Sequence, residues 1–153
     1  MKLLLRKFYL LTLLSLLFSC QSSNYEASDL IVGEWTYAYS TRDGVITDEN
    51  PCLSSNKFTF FNDMSLVHDA HIVYTNGDCT AKTYDVDAIW IKKEDEDGVY
   101  YSLRGSSSEG GIFNFPYCHI SLDNILVIGV REDGITGITG PNSRIDYYDR
   151  VEN

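Results

Sequence analysis

Three kinds of residue in this 153-residue chain have side chains suited to chemistry: a close pair of histidines, runs of acids, and four cysteines. His68-Asp69-Ala70-His71 sets two imidazoles three positions apart beside a carboxylate. On a strand that spacing points the rings to opposite faces, so they chelate one ion only across a bulge. Glu94-Asp95-Glu96-Asp97 lacks the Asp-x-Asp-x-Asn-Gly alternation of a calcium loop and reads as a solvated turn. Asp85 and Asp87 share one strand face, where alternating acids mark the wet side. No Ser/His/Asp or Cys/His arrangement has supporting context, and no glycine loop is shaped for phosphate. A binding protein is therefore expected and not an enzyme, with no catalytic residue, metal or cofactor.

The elements that would position such residues are short strands. In Ile31–Ser40, Trp35, Tyr37 and Tyr39 alternate with Thr36, Ala38 and Ser40, the period of a half-buried strand. Gly33 precedes the tryptophan by two positions, leaving room for another segment to close over the indole. Further strands are expected around Phe58 and Phe60, over 65–74, over 80–91, 99–103, 110–120 (interrupted by Pro116), 125–130 and 144–151. In 80–91, Tyr84, Val86, Ala88 and Trp90 fall on one face. Between the strands lie a loop at 41–54, a turn at Asn62-Asp63, a hairpin at Asn76-Gly77, a charged turn at 92–98 and a Gly-rich loop at 132–143. Eight strands joined by hairpin-length turns predict an all-β protein, an antiparallel up-and-down barrel that leaves no exposed edge. A β-sandwich with the same strand count is the competing arrangement.

Aromatic residues make up 13% of the chain, enough for a packed core, and the length suits one domain. A formal net charge of −10 argues against nucleic acid or an anionic surface as partner. A monomer is expected.

Residues 1–19 do not belong to that domain. Lys2, Arg6 and Lys7 precede an apolar run, Phe8 to Phe18, too short to span a bilayer comfortably and fitting a secretory signal. The run ends in Leu17-Phe18-Ser19-Cys20, which resembles the bacterial lipoprotein signal. The resemblance implies cleavage before Cys20, a thioether-linked diacylglycerol on its thiol, and acylation (palmitate) of the new N-terminus. Several acyl chains at about 0.8 kcal/mol per buried CH₂ would hold the chain on a membrane. Residues 20–29 then form a lipidated flexible tether. Gln21 in place of aspartate points, by the Gram-negative sorting rule, to the outer membrane, facing either the periplasm or the cell surface. The folded domain is expected to occupy residues 30–153.

Ile31-x-Gly33-x-Trp35 soon after that signal, with Cys52, Phe58-Thr59-Phe60-Phe61-Asn62-Asp63, Cys79 and Tyr84, resembles the lipocalin-like domains of small bacterial lipoproteins. The resemblance implies an eight-stranded barrel. It also implies an arginine near the C-terminus packed over Trp35, a place that Arg150 or Arg144 would fill.

An up-and-down meander also sorts the cysteines. Cys52 and Cys79 fall at the end of the barrel where strand one finishes, while Cys118 falls near the opposite end. A disulfide needs Cα atoms within about 7 Å, so Cys52 and Cys79 are expected to pair. Cys118 is left as a buried free thiol in an oxidising compartment. The tether and Trp35 share one end, and loops 41–54 and 132–143 share the other.

Two functions fit. One is a small-molecule carrier, its apolar or aromatic ligand held among Tyr37, Tyr39, Phe58, Phe60, Tyr84, Trp90, Phe113 and Phe115. The other is an envelope interaction or inhibitor module with a filled barrel, acting through its loops.

Overall fold

Alternation of apolar and polar residues does produce an almost purely β structure. The computed structural model describes residues 28–47, 51–73, 77–129 and 144–152. Cys20, the apolar leader, Asn76, Val130 and the loop at 132–143 lie outside the described residues. The strands are β1 (Gly33–Arg42), β2 (Val45–Ile46), β3 (Lys57–Phe60), β4 (Leu66–Val73) and β5 (Cys79–Tyr84). They continue with β6 (Val86–Asp95), β7 (Gly98–Ser106), β8 (Ile112–Ile120), β9 (Ile125–Ile128) and β10 (Arg144–Arg150). All pairings are antiparallel, in the order β5-β4-β3-β1-β10-β9-β8-β7-β6, with β2 folded back on β1.

The two ends of that order, β5 and β6, are consecutive in the chain and separated only by Asp85. Asp87 has a φ of 48°, and the kink around it sends the first half of the run along β4 and the second along β7. Ser65 bridges Ile89, and the Trp90 N–H donates to the Met64 carbonyl at 2.9 Å, so β4 also touches β6 and the barrel nearly closes. The single strand expected over 80–91 is therefore one run bent at 85–87. Val86, expected on the inner face, is 40% exposed as a result. The expected turn at 92–98 is shorter than its charges suggest, because Lys92–Asp95 continue β6 against Gly98–Tyr101 of β7.

Two bulges reset which side chains face inward. Ala38 is an extra residue in β1 between the pairs Tyr37–Tyr148 and Tyr39–Tyr147. In β8 the pairs Tyr101–Cys118 and Leu103–Phe115 leave Pro116 and Tyr117 opposite Ser102 alone. A bulge tolerates the proline's missing N–H.

The Trp35 end of the barrel is closed by the chain's own entry segment, residues 29–32. Ile31 is fully buried, and its carbonyl accepts from Trp35 Nε1 at 2.8 Å. Arg150 lies over the Trp35 ring, its Cζ 4.3 Å from the centroid, and Nη1 donates to the Val32 carbonyl at 2.9 Å. A second guanidinium nitrogen reaches the Leu30 carbonyl. Gly33 has a φ of 133°, and a Cβ there would lie 3.0 Å from Arg150 Nη1. The room at Gly33 thus admits an arginine side chain. Asp29, assigned above to the tether, is part of this floor: it accepts from the Tyr101 hydroxyl and pairs with Lys92 Nζ at 2.8 Å. Burial acts to raise its pKa, but the Lys92 and Tyr101 hydrogen bonds outweigh that and hold it below the usual carboxylate value.

At the opposite end Cys52 and Cys79 form the expected disulfide, their Cα atoms 5.4 Å apart. Cys118 is a buried free cysteine, its Sγ 3.2 Å from the Tyr101 carbonyl oxygen. Burial pushes its thiol pKa far up, which makes it unreactive.

Candidate ligand-binding chamber

One lateral row of inward side chains crosses five strands in register. Arg150 pairs with Trp35, Trp35 with Phe58, Phe58 with His68, and His68 with Tyr84. The row leads from the capped tryptophan to a cage of rings built on β3, β4, β5 and β8. At its centre His68 stacks on Phe58 (centroids 4.0 Å, 11° between planes) and on Tyr84 (5.6 Å, 21°). Phe113 and Phe115 present their edges to it at 5.4 and 6.2 Å. Period two explains the position: Leu66, His68 and Ala70 alternate inward along β4. The side chain of His68 is buried, and neither ring nitrogen has a hydrogen-bond partner among the described residues. Burial lowers its pKa to about 4, against a small opposing effect from Asp69, so the imidazole is neutral at pH 7.

Burial differs slightly along the barrel axis. Toward the Trp35 end Trp35, Phe60, Leu66, Tyr101, Leu103 and Leu126 are 0–2% exposed, as is Phe58 in the cage itself. Around and beyond His68, Ala70, Tyr84 and Phe113 each reach 8–9%. Lys82, paired with Ala70 one step toward the disulfide end, sits at the rim. Its ammonium reaches the Gly110 carbonyl in the β7–β8 turn and lies 5.7 Å from the Tyr84 ring centroid. Small residues shape the same wall: a Cβ on Gly105 would meet the Phe113 ring at 2.6 Å and Ala88 at 2.7 Å. The cage is thus buried throughout, its rings toward Lys82 only slightly less so than the lower core.

Of the ring residues expected to line the interior, Phe58, Tyr84, Phe113 and Phe115 meet around His68. Tyr37 is inside, next to Tyr148, its hydroxyl donating to Ser40 Oγ at 2.6 Å while Ser40 donates to Asp146. Phe60 and Trp90 are also buried but lie nearer the Trp35 end, Trp90 Nε1 donating to the Phe61 carbonyl at 3.0 Å. Tyr39 is not inside. The bulge at Ala38 turns it to the outer face, where it stacks on Tyr147 at 4.4 Å.

His68 itself was not among the expected lining residues, although Leu66-x-His68-x-Ala70 carries the alternation that would have placed it there. His71 lies on the outer face, where its backbone N–H donates to Asn56 Oδ1 at 2.6 Å. Among the described residues no group of three His, Cys, Asp or Glu side chains comes together that would hold a metal ion. Comparison with protein-family models, curated proteins and solved structures returns no match to this chain.

Proposed function

We propose that this protein is a lipid-anchored envelope protein whose lipocalin-like barrel binds a small apolar or aromatic molecule at the end away from the tether. The observation that carries this reading is the aromatic cage around His68, set beyond the capped Trp35, in which the buried ring nitrogens meet no hydrogen-bond partner among the described residues. Apolar surface removed from water there contributes about 25 cal/mol per Å² to binding. The leader sequence and Cys20 support anchoring to the outer membrane, and the opposed positions of tether and cage leave the mouth free. No catalytic step is part of this proposal. The competing reading, an interaction or inhibitor module, draws on the density of the lower core.

The test is to purify the full chain from its native envelope, extract it with organic solvent and analyse the extract by mass spectrometry. One small lipophilic species recovered in stoichiometric amount supports the carrier. An empty extract, with no saturable uptake of small aromatic compounds, favours the interaction module.

A further inference from the structure

His68 is a costly choice for packing alone. A buried hydrogen-bonding group left without a partner is destabilising, and this imidazole has two such nitrogens among the described residues. Leucine or phenylalanine at the same inward position would fill the cage without that cost. The described rings facing it are Phe58, Phe113, Phe115 and the flat of Tyr84, none of which bonds to either nitrogen. Asp69 turns to the outer face, where Thr83 Oγ1 donates to it at 2.7 Å. Lys82 is held at the rim by the Gly110 carbonyl.

From this we infer that the ligand carries a neutral hydrogen-bonding group, a hydroxyl, carbonyl or amide, on its apolar or aromatic body, and that His68 receives that group. A neutral imidazole offers one N–H donor and one lone-pair acceptor, so a hydroxyl can meet either nitrogen. A charged group would have to be desolvated among four aromatic rings, with Lys82 held at the rim outside them by the Gly110 carbonyl. A ligand reaches the ring by displacing its buried walls, Tyr84 and Phe113, on the side of Lys82. The ligand class rests on the carrier reading, whereas the polar anchor is specific to His68.

The experiment uses the full chain in non-ionic detergent, labelled with ¹⁵N in its histidine rings and titrated with phenol and with toluene. The two probes share a ring and differ in one hydroxyl. Phenol should bind saturably, at least tenfold tighter than toluene, and move the His68 ring ¹⁵N signals by several ppm. In His68→Phe the preference for phenol should vanish while toluene still binds; if that variant does not fold, the wild-type ring shifts decide. Equal binding of both probes with unmoved His68 signals would overturn the polar anchor and leave the carrier standing. Binding of neither probe would remove the carrier reading and this inference together.

Discussion

His68 lies directly across the β3–β4 pair from Phe58, its ring parallel to the phenyl with centroids 4.0 Å apart. That stack places a titratable group where its charged form has no solvent. Burial lowers the folded pKa to about 4 from the ordinary 6.5, so the unfolded chain binds the extra proton first as pH falls. Stability from His68 is complete above pH 6.5 and is lost as pH falls through 4, by about 3 kcal/mol in all. Urea unfolding at pH 7 and pH 5 should show the slope, and His68→Phe should flatten it. A wild-type slope unchanged in that variant would contradict the buried neutral ring.

The guanidinium of Arg150 and the missing Cβ of Gly33 are one device. Gly33→Ala should destabilise the barrel by about 1–3 kcal/mol, through a strained positive φ and a displaced arginine. Arg150→Ala should cost a similar amount, about 1–3 kcal/mol, from the lost cation–π contact and carbonyl bonds. Because both act on the same contact, the double variant should be less destabilised than the two losses added together. Full additivity in chemical denaturation would show that the two act separately.

The disulfide closes a segment with a sequence separation of 27 residues, and its reduction should cost about 3–4 kcal/mol in the chain-entropy account. Alkylation of the denatured, unreduced chain should modify Cys118, and the native chain should protect it. A disulfide peptide containing Cys118 would contradict the pairing.

If Cys20 carries lipid, Cys20→Ala should move the protein from the membrane to the aqueous fraction and abolish labelling by a fatty-acid analogue. Unchanged membrane partition in that variant would refute the anchor.

Much of the barrel was legible because period two and turn chemistry are local signals. Trp35, Phe58 and Phe60 sit inside as alternation places them. The pairing of Cys52 with Cys79 followed from strand direction alone. What escaped depends on closure. The bend at Asp85–Asp87 exists because one run must serve two neighbours, and the extra residue at Ala38 turned Tyr39 outward. Trp90 is inside as its face predicts, but its height near Phe61 could not be read before the register was known. The Asp43-Gly44 turn that folds β2 onto β1 did have a signal, since that dipeptide favours tight hairpins.

The central claim is that a small molecule enters the barrel at the cage around His68, and photolabelling tests it most directly. The full chain is labelled with a small aryl diazirine, digested and mapped by mass spectrometry, in wild type and in Ala70→Phe. Ala70 faces inward beside the rim, so a phenyl there should plug the mouth; a thermal melt checks that the variant is folded. The account predicts saturable labelling concentrated at Tyr84, Phe113 and Phe115, competed by phenol and reduced at least tenfold by the plug. Labelling confined to outer rings such as Tyr39 and Tyr147, and unchanged by Ala70→Phe, would contradict it.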